Sequence, residues 1–528
     1  MSDEAQTTRS AGSTSATSGG GIDHAVATWM AGQRWYAAKG LDPELRVIAS
    51  VEEHVDDLDG TAVRVVTNLV IDDAPTVPVL YQVPVTVRSA PVAGLDAALV
   101  AEDDGRWVYD GPHDTAYARW LLATIAGSRS VSGGAMGVDG QAIRTPGALV
   151  SSRVLRGEQS NTSIICDVDS GHPADDAHPA DDGHPADDAG AADDTGVPQV
   201  IVKVFRVLHH GENPDVTTQA ALSVGGSRRV PTSIGALSGT WPDVGRDEGT
   251  ATGHLAFAQE FMPGLEDAWR VALAAAEAGT DFTDEARALG AAVAEVHATL
   301  ATTLPTIEAG PDEVAAMLGS MRERIDVTAA EVPAIAEHAD AIRALYAATE
   351  ELDWPRLQRI HGDLHLGQAL SSPDRGWILL DFEGEPLRPM PERSRPDLTL
   401  RDVAGMLRSF DYVAGAIAHG AGPAASATAG PVDPDTAASA EHWADAARRA
   451  FVDGYTASSG VDLHAERRLL DAFEVDKAVY EALYEARNRP DWVGIPVTAV
   501  GRLVARSAPD ALADADADAD AGAGQRTS

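Results

Sequence analysis

The spacing of apolar residues changes several times along this chain, and each change predicts a different kind of element. From about residue 21 the segment WMAGQRWYAAKG reads as part of a helix, and TAVRVVTNLVI and VPVLYQVPVTVRS then alternate apolar and polar positions as half-buried strands do. Residues 21–95 are therefore expected to form a small α+β unit. A linking subdomain over 96–148 follows, with VYDGPHDTAYARWLLATIAG helical in its second half. ALVSSRVL, NTSIICDV and PQVIVKVF predict three strands within a third part, 149–262. From 263 to 506 the pattern is mainly helical, interrupted by IHGDLHLGQAL and WILLDFEGEP.

Three stretches carry no such pattern. Residues 1–20 are rich in Ser, Gly and Thr, and 507–528 alternate small and acidic residues. Residues 172–196 repeat the unit HPADD(A/G) three times and then decay. None can bury a core, so each is expected to be a flexible tail or insertion. Loop closure costs grow slowly with length, so two neighbouring antiparallel strands can carry the insertion between them.

Composition narrows the class. A chain of 528 residues with 44% hydrophobic content is long enough for several cores. Its one cysteine, Cys166, excludes an intramolecular disulfide framework and a cysteine metal cluster. The start has no signal-like apolar core and no later run reaches about 18 apolar residues, so a soluble, cytoplasmic protein without membrane partners is expected. With 81 acidic against 40 basic residues, the formal charge of −41 argues against nucleic-acid binding. A local phosphate site stays compatible with that charge, since it needs only amides, one lysine and a metal ion.

The two interrupting motifs supply such chemistry. Asp363, on a short loop, can accept a hydroxyl proton. Gln368 offers a neutral oxygen, and Asp381, at the end of the apolar strand WILL, offers an anionic one. A base and two oxygen ligands for Mg²⁺ are the minimum needed to move a phosphoryl group. His361 and His365 are assigned to loop support, because oxygen ligands suit that ion better. Upstream, Ser160, Asn161 and Thr162 form a small polar turn between strands that can point donors at phosphate. If the motifs move a phosphoryl group from a nucleotide, Lys203, inside the apolar strand VIVKVF, can neutralise its α and β phosphates. In LAFAQEFMPGLEDAW, the backbone of Gln259, Glu260, Phe261 and Met262 before Pro263-Gly264 can bond an adenine.

HGDLHLGQ with DFEGEP resembles the catalytic loop and metal motif of the protein-kinase-like superfamily, closest to its aminoglycoside-phosphotransferase branch. The longer strings WMAGQRWYAAKG, VYDGPHD, LRGEQSNTS, VFRVLHHGENPD, AQEFMPGLEDAW, DFEGEPLRPMPER, LRDVAGMLRSFDY and YEARNRPDWVGIP resemble the actinobacterial maltokinases over about residues 25–500. The resemblance implies an α+β, bilobal, aminoglycoside-phosphotransferase-like fold with an N-terminal cap domain. It also implies ATP and Mg²⁺ as cofactors, Asp363 as base, and Gln368 and Asp381 as metal ligands. Formation of maltose 1-phosphate for α-glucan and glycogen synthesis from trehalose is implied too, with functional association with a trehalose synthase.

The sugar is then expected on the late helix DKAVYEALYEARNRPDW. Positions 478, 479, 482, 483 and 486 make its apolar stripe. Lys477, Tyr480, Glu481, Tyr484 and Glu485 share the other side, with Asn488 beyond them and Arg487, Arg489 and Trp492 as supports. Glu383 and the Arg401-Asp402 pair are assigned to bracing the metal loop. One departure stands out: Thr217 occupies a position where the family often has Glu, the residue that would orient Lys203, and Glu212 and Asp215 are the nearby acids. The competing readings are a glucosamine kinase, an aminoglycoside kinase of the same fold, and, from another class, a nucleotide-binding pseudokinase.

Overall fold

The computed structural model describes residues 20–155, 160–169, 199–245, 249–386, 388–420 and 434–507. The HPADD repeat and nearly all of both tails lie outside these residues. They form two compact units, one of residues up to Gly211 together with Ile234–Phe261, the other of Glu212–Ser233 together with the chain from Met262 on.

The first unit holds two antiparallel sheets. Helix α1 (Gly20–Ala31) precedes strands β1 (Leu45–Asp56), β2 (Ala62–Asp72), β3 (Val79–Arg88), β4 (Leu99–Asp103) and β5 (Arg106–Asp110), which pair in the order β1-β2-β3-β5-β4. Alternation along β2 puts Val63 and Val65 inside and leaves their neighbours half-buried or exposed. The helix is shorter than the sequence suggests. It stops at Ala31, just before Gly32, and Trp35 and Tyr36 reach the core from the following turns, against Tyr81. Tyr36 donates to Asp72 at 2.5 Å, and its hydroxyl pKa is raised by burial and by that carboxylate.

The boundary expected at residue 95 is also displaced. β5 pairs with β3 as far as Asp110, so the first sheet extends beyond it. After α2 (Thr115–Ala126) come β6 (Ser130–Gly133), β7 (Met136–Ala142), β8 (Leu149–Val154), β9 (Asn161–Val168), β10 (Gln199–Phe205), β11 (Val207–Leu208), β12 (Ser233–Pro242) and β13 (Thr250–Glu260). The second sheet runs β6-β7-β12-β13-β10-β9-β8. Residues 96–148 are thus shared between two sheets, because strand pairing is non-local and does not respect a boundary drawn from composition. The short β11 pairs with β3, tying the strand of Lys203 to the first sheet. Arg206 at that junction is fully buried, bonding both oxygens of Asp110 at 2.8 Å and lying 4.8 Å from the Trp35 ring.

The second unit is helical around one hairpin. Helix α3 (Pro214–Val224) belongs here, although the sequence division at 262 placed it with the strands. It is followed by β14 (Glu266–Asp267), α4 (Ala268–Ala278), α5 (Thr283–Thr303), α6 (Pro311–Glu331), α7 (Pro333–Ala336), α8 (Ala339–Ala348), β15 (Ala369–Ser372), β16 (Gly376–Leu379), α9 (Met390–Arg393), α10 (Leu400–Ala418), α11 (Pro434–Ser459), α12 (Arg467–Asn488) and α13 (Gly494–Arg506). Helices α5 and α11 approach closely at two glycines. A Cβ at Gly290 would lie 2.1 Å from the Phe451 carbonyl, and one at Gly454 2.0 Å from the Arg287 carbonyl. Gly454→Ala is therefore expected to cost about 1–3 kcal/mol, the usual cost of overpacking a filled core. A urea titration checks this, and an unchanged midpoint would show that the two helices can move apart freely.

Among the described residues no helix is long and apolar enough to cross a membrane.

Candidate active site

The loop of Asp363 is held from below by one carboxylate. Asp402, in the first turn of α10, accepts from the His361 amide and the Gly362 amide, both at 2.8 Å, and from His297 Nε2 at 2.9 Å. Burial opposes charge on Asp402, but the His297 bond, the nearby His361 and the loop amide outweigh it, so its pKa lies below the usual carboxylate value. Gly362 has φ +86, a left-handed conformation that few side chains adopt, and it lets the chain turn directly over Gly384. His361 donates Nε2–H to the Leu380 carbonyl at 2.7 Å, and its ring centroid lies 4.5 Å from that of Phe382. His365 accepts from the Gly367 amide at 3.1 Å. Both histidines make the contacts of loop supports.

Gln368 closes the turn after Asp363, and its Nε2 stands 3.3 Å from Asp381 Oδ2. Asp381 has φ +60, uncommon for a residue other than glycine, and so points from a strained position at the strand end. Carboxylate oxygens of Asp381, Glu383 and Asp215 all lie within 4.8 Å of one another. An all-oxygen set with an amide beside it suits a hard divalent cation. Asp215, buried in the first turn of α3, also accepts from the Phe382 amide at 2.8 Å and from Gln219 at 2.6 Å. Sequence reasoning noted Asp215 only as a nearby acid. Its signal was the helix start Asn213-Pro214-Asp215, in which Asn213 caps the helix by accepting from the Asp215 amide. Thr217 donates to the Asn213 carbonyl and, with Thr218, faces Arg359 Nη2 at 3.3 Å. The position expected to carry a glutamate for Lys203 therefore contacts an arginine.

Lys203 sits half-buried on β10, opposite Ser163 of β9 and Phe257 of β13. Ser160 is exposed and accepts from Asn161 Nδ2 at 3.3 Å. Thr162 departs from its expected role. It is buried, and its hydroxyl accepts from Arg206 Nε at 2.9 Å, because strand alternation turns it inward. Gln259 and Glu260 pair with Ile201 and Val200, and the Phe261 amide donates to Gln199. The Phe261 N–H is thereby committed to the sheet rather than open to a base. Met262 begins the longer of the two segments that make up the second unit.

The second unit contains a cavity of about 1010 Å³ that reaches from Asp363 to Trp492. Helix α12 supplies one wall. Ala478, Val479, Ala482 and Leu483 are buried in the core, which leaves Lys477, Tyr480, Glu481, Tyr484 and Glu485 along the cavity. Asn488 only bonds the Tyr484 carbonyl. Lys477 Nζ stands 2.9 Å from Asp363 Oδ1 and 2.9 Å from Glu385 Oε1. Burial works against its ammonium, but Asp363, Glu385 and Glu481 together raise its pKa well above the usual value. Glu481 bonds Arg408 at 2.9 Å, yet burial keeps its pKa above that of an exposed glutamate. Glu485 receives Arg489 through two bonds, of 2.5 and 2.8 Å, and the Tyr412 hydroxyl at 3.1 Å. At the far end the rings of Tyr412 and Trp492 stack 6.5 Å apart, with Trp269 also lining the space.

One assignment needs correction. Arg401 bonds Asp397 at 2.8 Å and Asp476 at 3.1 Å, and its charge also acts on Glu385 in the Asp381 loop. Asp402, assigned to that loop, holds the Asp363 turn instead. Glu385, Arg408 and Tyr412 went unassigned, since nothing in their local sequence marks them as buried partners.

Residues 29–114 match the maltokinase N-terminal cap domain family, and residues 242–424 match the phosphotransferase enzyme family. The chain thus joins a maltokinase-type cap to a domain of kinase-like phosphotransferase fold, α+β overall. Among individual proteins it is 31% identical over 299 residues to a glucosamine kinase of Streptacidiphilus jiangxiensis, covering 54% of this chain and 64% of that one. It is 27% identical over 327 residues to a glucosamine kinase of Mycolicibacterium smegmatis, covering 58% and 75%. The first alignment spans under two thirds of that relative's length. A solved glucosamine kinase in complex with glucosamine, ADP and inorganic phosphate has the same fold, with a TM-score of 0.60 at 23% identity over 90% of this chain and 98% of that one.

Proposed function

We propose that the protein is an ATP-dependent sugar kinase that converts maltose to maltose 1-phosphate. The acceptor's anomeric oxygen attacks the γ-phosphorus as the bond to the bridging oxygen of ADP breaks, and Asp363 takes the hydroxyl proton. Gln368 and Asp381, with Asp215 and Glu383 alongside, would hold Mg²⁺, which supplies charge neutralisation at the phosphates. Lys203 keeps its proposed role toward the α and β phosphates. Ser160 and Asn161 stay candidates for the phosphate loop, and the backbone of 259–262, apart from the Phe261 N–H, for the base. The product would enter α-glucan synthesis, with a trehalose synthase as the expected functional neighbour.

The observation that carries a neutral acceptor is the pairing of the cavity's buried and half-buried acids. Asp363 has Lys477, Glu481 has Arg408, Glu485 has Arg489, and Asp267 has Arg270, while Glu266, which also lines the cavity, is exposed to solvent. A cationic sugar loses hydration on entry and needs an uncompensated carboxylate in return. Here the buried acids are already neutralised, whereas the hydroxyls of maltose can share these groups as hydrogen-bond partners. The volume adds support, because small-molecule sites occupy roughly 300–1,000 Å³ and a single ring would fill little of this one. The second reading, phosphorylation of glucosamine, is favoured by the names of the two relatives.

Purified protein with ATP and Mg²⁺ is expected to release ADP with maltose and not with glucosamine, glucose or kanamycin. Turnover with glucosamine alone would replace maltose as the acceptor. Nucleotide binding without turnover on any sugar would favour the pseudokinase.

A further inference from the structure

We infer that Glu385 is a positioning residue for phosphoryl transfer, acting through Lys477 on Asp363. The inference rests on Asp363 being the base.

Glu385 is 1% exposed, though it lies in the loop that also carries Asp381 and Glu383. Three cations surround it: Lys477 at 2.9 Å, Arg388 at 3.0 Å and Arg324 at 3.6 Å. The two arginines have a second acid each, Asp397 at 3.2 Å for Arg388 and Asp476 at 3.4 Å for Arg324. Among the described residues Lys477 has one ion-pair partner besides Glu385, namely Asp363, with the Glu481 charge farther off and the Tyr480 ring 4.9 Å from its Nζ. Removing the Glu385 charge therefore falls mainly on Lys477.

That matters because a lysine head is a point charge on a flexible stem with about 2 kcal/mol of rotamer entropy to lose. Asp363 alone, more open to solvent, would hold it weakly. Glu385 is inaccessible and braced by two arginines, so it gives the ammonium a fixed anchor. The fixed ammonium in turn occupies Asp363 Oδ1 and leaves Oδ2 as the oxygen facing an acceptor hydroxyl. Glu385 thus links the metal loop to the sugar-facing helix without touching substrate.

The test compares Glu385→Gln in the wild-type and Lys477→Met backgrounds, by steady-state kinetics with the sugar the wild type uses. Glu385→Gln is expected to lower kcat roughly 10- to 100-fold, the scale that misplacement of a reacting group costs, with KM for ATP nearly unchanged. Lys477→Met should lower kcat as well, and adding Glu385→Gln to it should cost nothing more. Glu385→Asp keeps the buried charge but withdraws it from Lys477, so it should show the same loss of kcat and serves if Glu385→Gln does not fold. Wild-type kcat in both Glu385 variants overturns the inference, as does an equal loss in the two backgrounds, which a purely structural role would produce. A wild-type protein without sugar-dependent turnover, or an Asp363→Asn variant with full turnover, fails the underlying reading instead.

Discussion

Asp363→Asn is expected to lower sugar-dependent turnover at least roughly 100-fold, the usual contribution of a general base. Nucleotide affinity should change little. The substitution keeps the shape of the side chain, and an amide oxygen can still accept from Lys477, whose other partner Glu385 is untouched. The loop itself is held by Asp402 through the amides of His361 and Gly362, so it should not move. What disappears is a basic oxygen able to take the acceptor's proton. Single-turnover measurements at saturating ATP and sugar isolate that step from product release. Unchanged turnover would remove Asp363 from the base role and leave catalysis to positioning and charge neutralisation.

Asp402→Ala should be the most destabilising of these substitutions. It removes the acceptor from two loop amides and from His297, all in a buried site. Each buried donor left without a partner costs about 1–3 kcal/mol, and three donors lose theirs. A loss of several kcal/mol, roughly the sum of such costs, is expected in chemical denaturation, with a large fall in turnover because the Asp363 loop loses its foundation. The wild type should also show a matching acid dependence. The pKa of Asp402 is lowered on folding, so its contribution is fully present above its unfolded value of about 3.9. It is lost as pH falls through the lower folded value, and the alanine variant should lack that part of the acid sensitivity. A loss below about 1 kcal/mol would mean that the loop amides find other acceptors.

Legibility followed the range of the signal. HGDLHLGQ and DFEGEP carry their chemistry in a few adjacent residues, and the apolar stripe of α12 repeats with the helical period. Both were readable locally. The cap boundary was misplaced because the pairing of β5 with β3 joins distant segments. Thr162 was misassigned because strand register decides which side chains turn inward. Asp215 and Glu385 escaped because a single acid in a loop or helix start has no periodicity, and burial beside its partners depends on elements far away in sequence.

By itself the sequence determined the order of the parts, a candidate base and a candidate oxygen-donor set, and which residues of α12 share a face. Local spacing is enough for those. Tertiary structure alone decided which charges meet. Burying Ala478, Val479 and Ala482 turns Lys477 toward the cavity, but only the packing of α12 beside the two loops sets its ammonium 2.9 Å from Asp363 and from Glu385. The helical period specifies which side chains lie together, whereas the charge each one neutralises depends on what is packed against them.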